Sequence, residues 1–450
     1  MKVAIAGGGS TWTPGLLNSI ARHKEKFPID ELVLYDNNPE RQKNVGEFGK
    51  ILFREKYEGL KFDYTTDPKK AFEDVDYVFC QIRTGGYEMR EKDEKIPLNM
   101  GLIGQETCGP GGFAYGFRSI PDMIDLINKI RKYSKKAWIL NYTNPAAIVA
   151  VALKKEFPDD QRILNICDQP VNLLKSYGKI LDMDYHEFEP YYFGLNHYGW
   201  FTKILDKNGK DLLPKLKEII TENGFLPADA EQRDQSWLDT YGMVEKMVND
   251  FGDYLPNTYL QYYLYPNYKL SKLDKNYTRA NEVIDGREKK VFGECKKVVE
   301  NNSLEGANVV YNDAHGDTIV EIAMSIEYNL NNYFIVIVEN NGIVKNLSDD
   351  AMVEVTATLG KNGPRPFAVG KIPTFYKGMI ESQYAYEKLT TEAYYEKSYE
   401  KALMALTLNR TIIDVDKARE VLDALKEANK DYWTELKWQK LRYSNAYPLG

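Results

Sequence analysis

Cysteine and histidine are scarce in this chain, with four of each among 450 residues. So few cysteines exclude a disulfide framework and set a reducing, cytoplasmic setting as the expectation. Basic charge is not in excess either. The 66 acids against 59 bases give a net charge of −7, which argues against a nucleic-acid surface. No apolar run approaches the roughly 20 residues that span a bilayer, and no signal-peptide pattern is present, so no membrane role is expected. Internal repeats and low-complexity linkers are missing too. The length suggests two or more domains, which should then share a broad interface. Tyrosine is the residue in surplus, at 33. Most of these suit amphipathic core or interface positions, and a few suit contact with sugar.

The opening of the chain is the most informative stretch. Residues 2–6 form a short apolar, partly β-branched run, followed by Gly7-Gly8-Gly9 and Ser10, with a helix start at Pro14. That pattern predicts a strand, a tight turn and a helix whose N-terminus receives a pyrophosphate. The spacing Gly7-x-Gly9-x-x-Trp12 lacks the third glycine of the dinucleotide fingerprint. A second buried strand over 31–36 ends in Asp36. An acid there bonds the ribose hydroxyls of NAD and repels the extra phosphate of NADP. Asp36 lies later than the usual offset of about 20 residues, so a long helix or loop must intervene. Further apolar runs at 76–82, 137–141 and 163–167 alternate with helical patterns, notably 120–133. Such alternation predicts a parallel sheet with helices on both faces.

Past residue 170 the pattern changes. Residues 189–197 and 200–205 read as strands, and Asn208-Gly209 is a strong hairpin turn signal. Helical periodicity appears at 212–221, 319–328, 402–413 and 418–432, and a strand at 332–339. Residues 257–282 are aromatic and basic and fit no clean period. The expected fold class is therefore α/β. A Rossmann-like dinucleotide-binding domain over 1–170 precedes an α+β domain over 171–450.

Three local constellations are candidates for chemistry. Cys167-Asp168 stands where the strand 163–167 ends, and ligands gather at the carboxyl ends of strands in open α/β sheets. Gly194-Leu195-Asn196-His197 ends another strand. Cys167 and His197 together leave a metal short of the four ligands of a structural zinc site, so water or substrate must complete it. The third is Gly104–Gly112 (GQETCGPGG), a segment dense in glycine that reads either as packing closely against cofactor or sugar or as a flexible connector. Taken singly, Cys167 and His197 read as core residues more readily than as ligands.

The chain resembles family 4 glycoside hydrolases. The shared words are IAGGGSTWTPG, LYDNNPERQ, GQETCGPGG, LNYTNPAAIVA, NICDQP, GLNHYGW, LPNTYLQYYL, TRANEV and MVEV, spread over most of the chain. The resemblance implies two domains, NAD, a divalent metal, and hydrolysis of 6-phospho-α-glucosides such as maltose 6'-phosphate. Within this family NAD oxidises C3 of the sugar, which acidifies the C2 proton. A base removes that proton, the group on C1 is eliminated, water adds, and the same NADH reduces the ketone. The family departs from the two-carboxylate scheme of glycoside hydrolysis. A Lewis-acidic metal and a cofactor that carries the redox step suit this sequence.

Residue by residue, the resemblance implies Cys167 and His197 as metal ligands, Asp168 as proton donor and Tyr259 as the base. A free tyrosine has a pKa near 10, so a nearby metal must lower it. Arg90, Asn144 and Arg279 match substrate-binding positions, and the planar fork of arginine suits a sugar phosphate. Without the resemblance, Arg90 reads as a solvated charge and Asn144 as a helix cap. One departure stands out: Gln169 follows Asp168 where close relatives carry methionine. Aspartate at 168 goes with α-linkage, and β-specific relatives carry asparagine there. Thiolate and imidazole ordinarily suit zinc, yet the family uses manganese or a similar ion, and manganese is the expectation. A homodimer or homotetramer is expected. Three rival readings remain open: a 6-phospho-β-glucosidase of the same family, an NAD-dependent dehydrogenase with net redox turnover, and a non-catalytic NAD-binding sensor.

Overall fold

A computed structural model describes residues 1–307 and 314–438. Among the described residues, twelve strands fall into two sheets. They are β1 (Lys2–Ala6), β2 (Glu31–Tyr35), β3 (Lys61–Thr65), β4 (Tyr77–Cys80), β5 (Trp138–Asn141), β6 (Ile163–Ile166), β7 (Glu189–Leu195), β8 (Tyr198–Leu205), β9 (Leu255–Pro256), β10 (Asn332–Glu339), β11 (Met352–Gly360) and β12 (Gly363–Pro366). The large sheet runs β3-β2-β1-β4-β5-β6-β10-β11-β12. Its first six strands pair in parallel. That is the doubly wound order expected from the alternating pattern, and its direction reverses between β1 and β4. Cofactors bind at such a switch point, outside the carboxyl ends of the strands.

Period-two alternation explains why these strands are buried on both faces. Val3, Ile5, Leu32, Leu34, Tyr77 and Phe79 enter one core. Ala4, Ala6, Val33, Tyr35, Val78 and Cys80 enter another on the opposite face. The first core also takes Val291, Cys295, Val298, Ile319 and Ile322, from the helices Lys289–Asn301 and Ala314–Glu327 of the C-terminal half. The sheet continues across the two halves as well: β10 pairs antiparallel with β6, β11 with β10, and β12 with β11. A separate small sheet, β7-β8-β9, packs on this assembly through aromatic residues that include Tyr192, Phe193, Trp200 and Phe201.

Two local expectations shift. Asn208-Gly209 does form a turn, with Gly209 N–H donating to Asp206 O at 2.9 Å, but only a single bridge, Leu205 to Asp211, follows it. The tight hairpin lies earlier. β7 and β8 pair as far as Leu195–Tyr198, so Asn196 and His197 are its two-residue loop. The Gly104–Gly112 segment is no flexible connector. Gly109 opens the long helix Gly109–Tyr133, and a Cβ on Gly104 would stand 1.9 Å from the Glu94 carbonyl oxygen. No described helix is long and apolar enough to cross a membrane.

Candidate active site

A cleft of about 960 Å³ opens at the carboxyl ends of the parallel strands. Gly7, Gly9, Ser10 and Asp36 line it from the N-terminal turn, as do Arg90, Asn144, Cys167, Asp168, His197, Tyr259 and Arg279. Gly8 alone of the sequence-predicted residues does not face the cleft; it packs behind the turn against Leu34.

The turn is built tightly. Gly7 has φ +90°, and a Cβ there would lie 2.7 Å from the Gln81 carbonyl oxygen, so only glycine fits. Gly7 and Gly8 N–H both donate to the Tyr35 carbonyl at 2.9 Å. Gly9 N–H donates to Asp36 Oδ2 at 2.8 Å, and Asn38 N–H to Asp36 Oδ1 at 2.9 Å. These bonds fix the Asp36 carboxylate at the cleft edge, where an acid can accept from ribose hydroxyls. The helix begins at Thr13 rather than Pro14, with Pro14 in its first turn.

Cys167 follows β6 directly, and Asp168 caps the helix Gln169–Leu181 without a side-chain capping bond. Cys167 Sγ lies 3.5 Å from His197 Nε2. His197 holds φ +62° in the hairpin loop, a conformation few side chains adopt and one that surroundings must impose. Its Nδ1 lies 3.2 Å from Thr107 Oγ1, leaving Nε2 for the thiol side. The Tyr259 ring stacks on the same imidazole, centroids 4.1 Å apart and planes within 6°. Asn257 Oδ1 accepts from Tyr259 N–H at 3.0 Å and fixes that turn.

Burial dominates the electrostatics. It pushes the His197 imidazole down to about 4, with Asp168 and Glu106 opposing, so the ring is neutral and able to ligate near pH 7. Burial, then Glu354 and Asp168, raise the Cys167 thiol well above its ordinary range. Burial likewise raises Tyr259, with Tyr262 and Glu106 adding to it. Both shifts favour the protonated thiol and phenol in the chain alone. No cluster of three or more metal-ligating side chains exists among the described residues. One sulfur and one nitrogen facing an open cleft fit an ion whose remaining ligands come from substrate or water.

Of the residues expected at substrate positions, Arg90 is not a solvated charge and Asn144 is not a cap. Arg90 is 4% exposed. Its Nε donates to Glu94 Oε1 at 2.8 Å, and Nη1 lies 3.2 Å from Glu106 Oε2. Asn144 does not cap the helix Ala146–Glu156, whose N-cap is Pro145, and its Oδ1 is buried with no hydrogen-bond partner. Arg279 Nη1 bonds Glu282 Oε2 at 2.5 Å and also meets Asp234.

Several contacts that sequence reasoning missed support this site. Thr107 sits inside the glycine-dense segment, which was the available signal. Asn196 Nδ2 donates to Glu354 Oε1 at 2.9 Å, tying the hairpin loop to β11. Gln169 Nε2 donates to Thr258 Oγ1 at 2.6 Å, so the segment after Asp168 is tied to the segment before Tyr259.

A doubly wound sheet with a glycine turn, an acid after β2 and a thiol–imidazole pair over one cleft defines a dinucleotide-type α/β protein. Comparison with known proteins makes the family plain. The model of family 4 glycosyl hydrolases matches residues 2–183, and that of the family's C-terminal domain matches residues 192–412. The chain belongs to glycosyl hydrolase family 4. It is 51% identical over 440 residues to a phospho-alpha-glucosidase of Clostridium acetobutylicum, covering 97% of this chain and 99% of that one. A crystal structure of a 6-phospho-alpha-glucosidase from gut microorganisms in complex with NAD and Mn2+ is 58% identical, with a TM-score of 0.96, covering 97% of this chain and 99% of that one. A second such enzyme, in complex with NAD and glucose-6-phosphate, is 45% identical with a TM-score of 0.93, covering 97% and 100%. A 6-phospho-beta-glucosidase of Thermotoga maritima is more distant, at 31% identity over 434 residues, 96% of this chain and 99% of that one.

Proposed function

We propose that this chain hydrolyses 6-phospho-α-glucosides such as maltose 6'-phosphate, with NAD and manganese as its cofactors. The observation that carries the reading is the Cys167 Sγ–His197 Nε2 pair at 3.5 Å, beneath the ring of Tyr259 and over the cleft of the glycine turn. The greater identity to phospho-α- than to phospho-β-glucosidases favours the α-linkage.

When bound, NAD would supply a hydride acceptor and the cation Lewis acidity toward sugar oxygens. Cys167 and His197 would hold the cation through Sγ and Nε2, and Gly7, Gly9, Ser10 and Asp36 would seat the dinucleotide. Tyr259 would take the C2 proton on its phenolic oxygen. Asp168 would pass a proton to the oxygen leaving C1. Arg90, Asn144 and Arg279 would bind and orient the phosphorylated sugar in the cleft. Residues 1–170 are assigned to the dinucleotide and 171–450 to oligomerisation, while the substrate and metal positions draw on both, with Arg90, Asn144, Cys167 and Asp168 from the first meeting His197, Tyr259 and Arg279 from the second. We also infer a cytoplasmic setting, in keeping with four buried free cysteines, and a homodimer or homotetramer.

The test is a panel of phosphorylated and unphosphorylated α- and β-glucosides, assayed with NAD and Mn2+. Turnover should be confined to the 6-phospho-α-glucosides, with no build-up of NADH. Preference for the β-linked panel would move the chain to the β-specific class. Stoichiometric NADH would make it a dehydrogenase.

A further inference from the structure

The glycine turn has few donors to offer an anion. Gly7, Gly8 and Gly9 N–H are engaged with Tyr35 and Asp36 as described. Ser10 N–H donates to Gly7 O at 3.0 Å, Trp12 N–H to Ser10 Oγ at 3.2 Å and Thr13 N–H to Ser10 O at 3.1 Å. Pro14 has no N–H at all. Turns of this kind ordinarily hold phosphate with free amides and a helix N-terminus. With Thr11 and Gly15 N–H the donors left over, a phosphate in the cleft is better held when a cationic side chain joins them.

Two arginines stand at this turn: Arg41, whose Nε donates to Gly9 O at 2.9 Å, and Arg287. The second sits on Val283–Glu288, a π-helical segment of the C-terminal half, a distortion frequent at functional sites. Its guanidinium carbon lies 4.4 Å from the centroid of the Trp12 ring. Trp12 stands where the fingerprint's third glycine would be, so the residue that breaks the motif is the platform for the arginine. Arg287 Nη2 donates to Tyr87 Oη at 3.2 Å, and Tyr87 Oη lies 3.1 Å from Thr11 Oγ1.

The other arginines of the cleft are already paired. Arg41 meets Glu288, Arg83 and Arg90 meet Glu106, Arg233 meets Asp229, and Arg279 meets Asp234 and Glu282. Arg287 makes no ion pair among the described residues, and its Nε is buried with no hydrogen-bond partner. Burial pulls its pKa down, with only Tyr87 opposing. A guanidinium does not lose its proton in proteins, and a half-buried charge with no counter-charge among the described residues is costly. Such a position is stabilised when an anion arrives.

We propose that Arg287 is a phosphate-binding residue that closes the glycine turn from the C-terminal half, bonding an oxygen of the dinucleotide pyrophosphate or of the sugar 6-phosphate. Its neighbours Thr11, Trp12 and Tyr87 all flank the turn, which favours the dinucleotide. The proposal rests on the NAD and sugar-phosphate reading above.

The experiment compares wild type, Arg287→Met and Arg287→Lys in the presence of Mn2+. NAD affinity is measured by calorimetry on NAD-stripped protein. The KM for a nitrophenyl α-glucoside 6-phosphate is measured at saturating NAD. Losing a hydrogen bond to a charged group should weaken the affected ligand about 10- to 100-fold in Arg287→Met. Arg287→Lys keeps the charge but loses the planar fork, so it should weaken that ligand by about tenfold. A weakened NAD constant with an unchanged sugar KM assigns the pyrophosphate. The converse assigns the sugar phosphate. Both constants within about twofold of wild type in a folded Arg287→Met overturn the proposal. If that variant does not fold, unchanged constants in Arg287→Lys overturn it. A wild-type chain that binds neither NAD nor the sugar phosphate overturns the underlying reading, an outcome seen before any variant is compared.

Discussion

Thr107 Oγ1 stands 3.2 Å from His197 Nδ1, and this contact commits the opposite ring nitrogen to Cys167. A ligating imidazole is usually oriented by such a partner, whose loss costs about 10- to 100-fold in metal affinity. Thr107→Val removes the hydroxyl and keeps the shape. Titration with Mn2+ should show an affinity loss of that order, restored by Thr107→Ser. Equal affinities in all three proteins would mean that the hairpin loop alone orients the ring.

Tyr259 lies flat on that imidazole, so Tyr259→Phe should leave stacking and folding intact while removing the proposed base. A general base is worth about 10²–10⁴ in rate, and turnover should fall by that much with little change in Mn2+ binding. Hydrolysis by wild type in deuterated water should place deuterium at C2 of the product. Only protium there, by NMR, would contradict removal of the C2 proton.

Most of the scaffold was legible because its strands are short apolar runs punctuated by glycine and acids. The run at 332–339 is β10 to the residue. Asp36, Cys167 and His197 were legible because they end such runs. The support around them was not. Glu354 lies inside β11, buried on a strand whose sequence alternates polar with apolar, and only the fold brings it to Asn196. The Asn196-His197 loop carries no glycine of its own and yielded to the stronger signal at Asn208-Gly209. Residues 257–282 showed no period because they form helical pieces of only three to five residues. Arg287 becomes meaningful only beside Trp12, 275 positions away in the numbering of the chain.

A buried carboxyl that does not line the cleft should govern the alkaline side of stability. Glu387 is 2% exposed, and its Oε1 accepts from Gln383 Nε2 at 2.8 Å. Burial pushes it up to about 8, with Gln383 opposing and Glu354 adding to the rise. A carboxyl whose folded pKa lies above its unfolded value of 4.5 favours the folded state when protonated. That stability is fully present below pH 4.5 and is lost as pH rises through about 8. A tenfold difference in proton affinity between folded and unfolded chain is worth about 1.4 kcal/mol. Glu387→Gln keeps the bond from Gln383 and cannot ionise. Its Tm should match wild type near pH 5 and exceed it by several degrees near pH 8. Parallel melting curves for the two proteins across that range would show that Glu387 is not titrating.

Asp168 adjoins Cys167 at the end of β6 and faces the cleft, which places its carboxyl beside the proposed leaving group. A departing sugar alkoxide needs a proton, whereas a nitrophenolate hardly does. Asp168→Asn should therefore cut hydrolysis of maltose 6'-phosphate by about 10²–10⁴. It should largely spare a nitrophenyl α-glucoside 6-phosphate. Mn2+ affinity should hold, because the donors Cys167 and His197 are untouched. If both substrates fall together while metal binding survives, the carboxyl serves the position of the sugar rather than its leaving oxygen. If metal binding falls with them, Asp168 belongs to the cation site. The split between the two substrates thus reads the role of a single proton at this carboxyl.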